Sequence, residues 1–136
     1  MRKPFLVILC GVPCSGKSTL AKEVADLLEK KFNYFTVVVT SDTFRRMIPT
    51  YEYRFEPELE QFVRDATYEM IRIALNHGLF VISDDTNYYA SIRRRLVKMA
   101  QQCKAGYAII YVNIPLEVAL NWNKKRGEPI PNSLIE

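Results

Sequence analysis

The chain has 136 residues, 49% of them apolar, and its 19 lysines and arginines against 15 aspartates and glutamates leave a formal charge of +4. That composition excludes wholesale disorder and fits one domain, able to bury roughly 65–70% of its unfolded surface without a disulfide framework or a structural metal. Cys10, Cys14 and Cys103 form no CxxC pair, no apolar run reaches the ~18–20 residues of a membrane span, and no targeting segment is visible, so a cytoplasmic protein is expected.

Phe5 to Cys10 (FLVILC) is a short continuous apolar run, the pattern of a strand buried on both faces of a parallel sheet, and Gly11 closes it. From Leu20 the period changes. Leu20, Val24, Leu27 and Leu28 fall on one side and Lys22, Glu23, Asp26 and Glu29 on the other, which predicts a helix lying on a sheet. The β-branched run Thr36 to Thr40 predicts a second strand. Pro57 suits the first turn of a long helix whose buried stripe reads as Leu59, Phe62, Val63, Ala66, Met70, Ile73 and Ala74, with His77-Gly78 ending it. Leu79 to Ile82 is the third expected strand. Ser91 can cap a helix that buries Ile92, Leu96, Met99, Ala100 and Cys103 while Arg93, Arg94, Arg95 and Lys98 crowd its other side. Ala108 to Ile114 is the fourth strand, Pro115 opens a helix to about Lys125, and Arg126 to Pro131 breaks the pattern before a new start at Asn132.

Strands alternating with helices predict an α/β fold, three-layered (αβα), with helices on both faces of a parallel sheet. Residues 1–136 read as one domain, and the pattern stops in mid-course, so a last strand or a further domain is expected beyond it.

Gly11-Val12-Pro13-Cys14-Ser15-Gly16-Lys17-Ser18-Thr19 fits GxxxxGK[ST] between a buried strand and an amphipathic helix, the setting in which this pattern is a phosphate-binding P-loop. Gly11, Pro13, Cys14, Ser15, Gly16, Lys17, Ser18 and Thr19 are therefore read as the cradle of a nucleotide. Backbone N–H groups at a helix N-terminus favour an anion there. Lys17 is expected to reach the β- and γ-phosphates of ATP, and the Ser18 hydroxyl to ligate Mg²⁺.

Asp84 and Asp85 follow the third strand, and Asp84 is taken as the carboxylate that organises magnesium, Asp85 pointing elsewhere if the chain is still extended. Asp42, after the second strand, would lie at the same sheet edge and is the candidate general base toward an acceptor hydroxyl, with Arg45 one turn on to hold an anionic group. Ser41 or Asp42 acting only as the cap of a short helix from Thr43 is the plainer alternative. Arg126, between Gly127 and a broken helix, suits a flap that brings a guanidinium to the transferring phosphoryl group, or else a solvated helix end. Arg93, Arg94 and Arg95 near Tyr88 and Tyr89 suit either a phosphate-backbone contact with stacking rings or a solvated helix face. Tyr51, Tyr53 and Phe55 form part of an acceptor site or pack their own loop.

Together GVPCSGKST, SDTFRR, VISDDTNYY followed by SIRRRL, and NKKRGEPIPN resemble the kinase domain of archaeal O-phosphoseryl-tRNA kinase, which phosphorylates serine carried on the selenocysteine tRNA. The arrangement is also similar to the 5′-hydroxyl polynucleotide kinase domain, and a related tRNA-modification ATPase shares the strand-end NY. The resemblance implies an active site of Lys17, Ser18, Asp42, Arg45 and Arg126. Where such flaps carry RxxxR, Trp122 here stands four before Arg126, so one anion-binding cation is either absent or supplied by Lys124 or Lys125. The tRNA kinase also has a C-terminal domain that grips tRNA, which this chain does not reach.

The expected activity is ATP- and Mg²⁺-dependent transfer of the γ-phosphate to the serine of seryl-tRNA. A 5′-hydroxyl polynucleotide or small-molecule kinase, and a tRNA-stimulated ATPase or nucleotide switch, are the alternatives.

Overall fold

A computed structural model describes residues 3–11, 17–51 and 56–112. The elements run in the order β1 (Phe5–Cys10), α1 (Lys17–Phe32), β2 (Thr36–Val39), α2 (Ser41–Arg45), α3 (Pro57–Asn76), β3 (Phe80–Asp84), α4 (Ala90–Gln102) and β4 (Gly106–Tyr111). The four strands form one parallel sheet in the order β2-β3-β1-β4. The α/β reading holds. Among the described residues no helix is long and apolar enough to cross a membrane.

The apolar run of β1 is explained by its place between β3 and β4, where both of its faces are covered. Successive strand residues point to opposite sides. Leu6, Ile8 and Val81 therefore join one core with Val63, Ile71 and Leu75 of α3 and Leu96, Met99 and Ala100 of α4. Val7, Leu9 and Ile82 join a second core with Ala21 of α1. Gly106 at the start of β4 admits no larger residue without movement, because a Cβ there would come within 2.6 Å of the Phe5 ring. At the far end of α3, Gly78 takes φ 74 just after the helix, the left-handed turn expected of His77-Gly78.

Several details differ from the sequence reading. The buried positions of α3 are Val63, Thr67, Tyr68, Ile71, Ala74 and Leu75, while Phe62, Met70 and Ile73 are 47%, 40% and 50% exposed. The helix is turned by about one residue from the expected stripe. A threonine and a tyrosine face inward, and the Thr67 hydroxyl is satisfied by donating to the Val63 carbonyl at 2.7 Å. Helix α4 starts at Ala90 with Tyr89 as its N-cap and no capping side chain, so Ser91 is an exposed first-turn residue and not the cap. Strand β4 begins two residues earlier than expected. The helix from Pro115, the break around Arg126 and the start at Asn132 lie outside the described residues.

Candidate active site

Because the sheet is parallel, β1, β2 and β3 all deliver their C-terminal ends to one edge, where ligands of open α/β folds are bound. At the end of β1 the Gly11 N–H donates to the Thr86 carbonyl at 3.1 Å. Asn87 ties the same two strand ends together. Its side-chain amide donates to the Leu9 carbonyl at 2.7 Å and to the Ser83 hydroxyl at 3.2 Å. The buried Cys10 thiol donates to the Asn87 carbonyl at 3.4 Å. Asn87 does this from φ 45, a left-handed conformation that asparagine tolerates better than most residues. The sequence reading assigned it no role, although an asparagine just past a strand end is the residue type for such a turn.

Helix α1 begins at Lys17, and Thr19 in its first turn is exposed. Pro13, Cys14, Ser15 and Gly16, with the side chains of Lys17 and Ser18, lie outside what is described, as do Tyr53, Phe55, Trp122, Lys124, Lys125 and Arg126. Asp84 is buried at the last position of β3, level with Leu9 of β1. A hydroxyl and a carboxylate are hard oxygen donors of the kind magnesium takes, so Ser18 and Asp84 fit that ion by chemistry.

The opposite side of the edge is more completely drawn. Helix α2 begins at Ser41, two residues before the expected Thr43, and Thr40 is its cap, accepting from the Asp42 N–H at 3.4 Å. The Ser41 N–H is one of the donors a helix start leaves without an internal partner. It donates to both carboxylate oxygens of Asp85, at 3.2 and 3.1 Å, and the Ser41 hydroxyl adds a third bond to the same group at 2.6 Å. Asp85, expected to point elsewhere, thus joins α2 to β3. The register explains the meeting: Val39 pairs with Ser83, so two residues further on Ser41 comes level with Asp85.

Arg45 collects the remaining charges. Its Nη1 donates to the Ser41 hydroxyl at 2.7 Å and to Asp42 Oδ1 at 2.8 Å. Its Nε and Nη2 clasp Glu60 of α3 at 3.1 and 3.0 Å, and the Tyr51 hydroxyl donates to Glu60 at 2.5 Å. Asp42 and Arg45 are brought together as expected of residues three apart on a helix. The guanidinium is nonetheless bound to protein carboxylates, so it is less a receptor for an incoming anion than the sequence suggests.

Burial alone would lower the pKa of Arg45, but hydrogen bonds and attraction from Glu60 and Asp42 outweigh it and hold the guanidinium charged. The Arg45 hydrogen bond keeps the Glu60 carboxyl below its ordinary range against the effect of its own burial. Burial pushes the Asp85 carboxyl up to about 6, although the Ser41 hydroxyl and N–H favour its charged form.

Beside this cluster is a cavity of about 310 Å³, walled by Arg45, Glu60, Arg64, Tyr68, Asp85 and Tyr89 among others. Asp42 does not line it, and its side chain is 64% exposed.

The arginine trio of α4 is divided in use. Arg93 donates to the Asn87 carbonyl at 3.0 Å and to that of Tyr88, with its guanidinium 5.8 Å from the centre of the Tyr111 ring. Arg95 stacks 4.0 Å above Tyr68. Arg94 and Lys98 remain exposed, as do Tyr88 and Tyr89, which meet edge to face.

This architecture agrees with what the chain is similar to. It is 37% identical over 132 residues to an L-seryl-tRNA(Sec) kinase of Methanococcus maripaludis, covering 97% of this chain and 50% of that protein. It is 24% identical over 139 residues to Protein kti12 of Schizosaccharomyces pombe, covering 96% and 48%. The chain therefore spans about half the length of the curated relatives it matches. A chain of the Pnkp1/Rnl/Hen1 RNA repair complex matches with a TM-score of 0.81 at 27% identity, over 99% of this chain and 42% of that one. Kti12 of Chaetomium thermophilum in complex with ADP-AlF3 matches with a TM-score of 0.75 at 26% identity, over 96% and 72%. The fold is that of the P-loop kinases, and the resemblance drawn from the motifs is borne out. A family model described as Chromatin associated protein KTI12 matches residues 5–136, and the chain belongs to that family.

Proposed function

We propose that this chain carries an ATP- and Mg²⁺-dependent phosphotransferase, and that its acceptor is the serine hydroxyl of seryl-tRNA(Sec). Lys17 and the backbone of Gly11 to Thr19 hold the triphosphate. Ser18 and Asp84 would hold magnesium, which when bound would neutralise charge on the phosphates. The acceptor oxygen attacks the γ-phosphorus, its proton passes to Asp42, and the bond from the γ-phosphorus to the bridging oxygen breaks to release ADP. Arg126 closes over the charge spread across the phosphoryl group.

The observation that carries this reading is the Asp42–Arg45 pair. Arg45 holds one oxygen of Asp42 at 2.8 Å, and the carboxylate is 64% exposed, so the other oxygen is left to take a proton. The 37% identity to a seryl-tRNA(Sec) kinase supports the acceptor. The match to the RNA repair complex supports a second reading, in which the acceptor is a 5′-hydroxyl of RNA.

Incubation with γ-labelled ATP and, in separate reactions, seryl-tRNA, a 5′-hydroxyl oligonucleotide and buffer separates these readings by where the label goes. Label on the seryl group is the expected result, and label at a 5′ end selects the second reading. Label released only as free phosphate identifies an ATPase and defeats both.

A further inference from the structure

Ser41 looks from the sequence like a cap, yet its hydroxyl stands between Arg45 and Asp85. A guanidinium has no lone pair and can only donate. The contact at 2.7 Å with Arg45 Nη1 therefore uses the Ser41 oxygen as acceptor, and the one hydroxyl proton is directed to Asp85 at 2.6 Å. Asp85 in turn holds the Ser41 N–H. The serine is thus fixed at both main chain and side chain, and it presents its oxygen to the nitrogen that also binds Asp42. Glu60 fixes the opposite edge of the guanidinium through Nε and Nη2. With both edges held, the plane of Arg45 is set, and with it the direction from which Asp42 is gripped.

The Asp42–Arg45 pair has little means of its own to keep this geometry. Its side chains are 31% and 64% exposed for Arg45 and Asp42, and exposed pairs three residues apart on a helix contribute little by themselves. The rigidity enters from Asp85, the least exposed of the three carboxylates, at the end of a strand inside the sheet.

We propose that Ser41 and Asp85 form a positioning pair that fixes Arg45 and, through it, Asp42, so that phosphoryl transfer depends on the Ser41 hydroxyl while nucleotide binding does not. The proposal rests on the reading of Asp42 as the base. Neither residue of the pair touches a reacting atom. Loss of the hydroxyl leaves Arg45 Nη1 with Asp42 alone and lets the guanidinium pivot about its remaining contacts with Glu60. A shift of the base by about 1 Å suffices to cost on the order of a hundredfold in rate.

The test compares Ser41→Ala, Ser41→Thr, Asp85→Asn and the Ser41→Ala/Asp85→Asn double variant in the full chain. Calorimetry with Mg-ATP measures binding, and initial rates are taken with the acceptor that wild type labels. Nitrogen-15 NMR follows the Arg45 side-chain N–H signals and needs no acceptor. The expected result is Mg-ATP affinity unchanged throughout, kcat reduced about 10- to 100-fold in Ser41→Ala and Asp85→Asn, and a double variant no worse than the poorer single one. Ser41→Thr, which keeps a hydroxyl, restores most of the rate. The Arg45 N–H signals broaden or exchange faster in the alanine and asparagine variants and not in the threonine one.

Ser41→Ala at full rate overturns the proposal, as do single losses that multiply in the double variant. Weakened Mg-ATP binding in Asp85→Asn assigns that carboxylate to the metal and overturns it too. If wild type labels no acceptor, the kinase reading fails by itself, and the NMR signals still decide: unchanged Arg45 resonances in Ser41→Ala refute the positioning pair, and lost ones uphold it.

Discussion

The two sides of the sheet edge are held by different forces. At the end of β1, where the phosphate loop begins, the ties are mostly neutral: an asparagine amide, a thiol and backbone groups, with Asn87 only 5% exposed and the Arg93 guanidinium on its carbonyl. On the side of α2 the ties are ionic: one guanidinium, the carboxylates of Asp42, Glu60 and Asp85, and a serine between them. Neutral bonds in a dry interior change little with acid or salt, whereas partly exposed ion pairs respond to both. The end of β1 should therefore be a stable frame, and the side of α2 the adjustable part.

The largest effect that tests this division is Lys17→Ala, which should leave a folded chain with no labelled product above background in the ATP assay. Next is Asp42→Asn, expected to spare Mg-ATP binding and cut transfer about 10²–10⁴-fold. An enzyme at full rate would remove Asp42 as base and take away the functional meaning of the ionic side.

Asn87→Ala attacks the neutral side. It leaves the buried Leu9 carbonyl without the amide that now satisfies it and places alanine at φ 45. A loss of about 1–3 kcal/mol in urea unfolding is expected. Asn87→Gly should lose less, because glycine accepts the backbone angle.

Acid sharpens the contrast. Glu60 binds its proton less readily in the folded chain than at its ordinary value of 4.5, so between the two values the unfolded chain holds more protons. The stabilisation from the Arg45–Glu60 contact is then complete above 4.5 and lost as pH falls through the lower, folded value. Unfolding curves of wild type and Glu60→Gln should accordingly converge at acid pH. The smallest effect belongs to Arg94→Ala and Lys98→Ala, exposed positions where denaturant midpoints should report changes within about 0.5 kcal/mol.

What could be read from the chain follows from the range of the signals. FLVILC is legible because a strand buried on both sides needs no partner's identity to be recognised, and the glycines and lysine after it mark the loop by spacing alone. The stripe of α3 differs by one position because apolar residues occur on two neighbouring lines of the helix: Ile71 and Leu75 are buried with Thr67 and Tyr68, while Met70 and Ile73 beside them are exposed. The contact of Ser41 with Asp85 spans 44 residues and exists because β2 lies beside β3. A sequence fixes the presence of both strands well before it reveals their order in the sheet. Asn87 was passed over for a related reason: its partners are on β1, far away in the chain.

The pairing of Val39 with Ser83 also sets a penalty on error. Were β2 to slide by one residue in one direction, Asp42 would arrive where Ser41 now stands, and two anions would be forced together in a poorly hydrated spot. Misalignment is thereby punished by repulsion at the very place where correct alignment is rewarded with three hydrogen bonds, so the same aspartate proofreads how the strands come together.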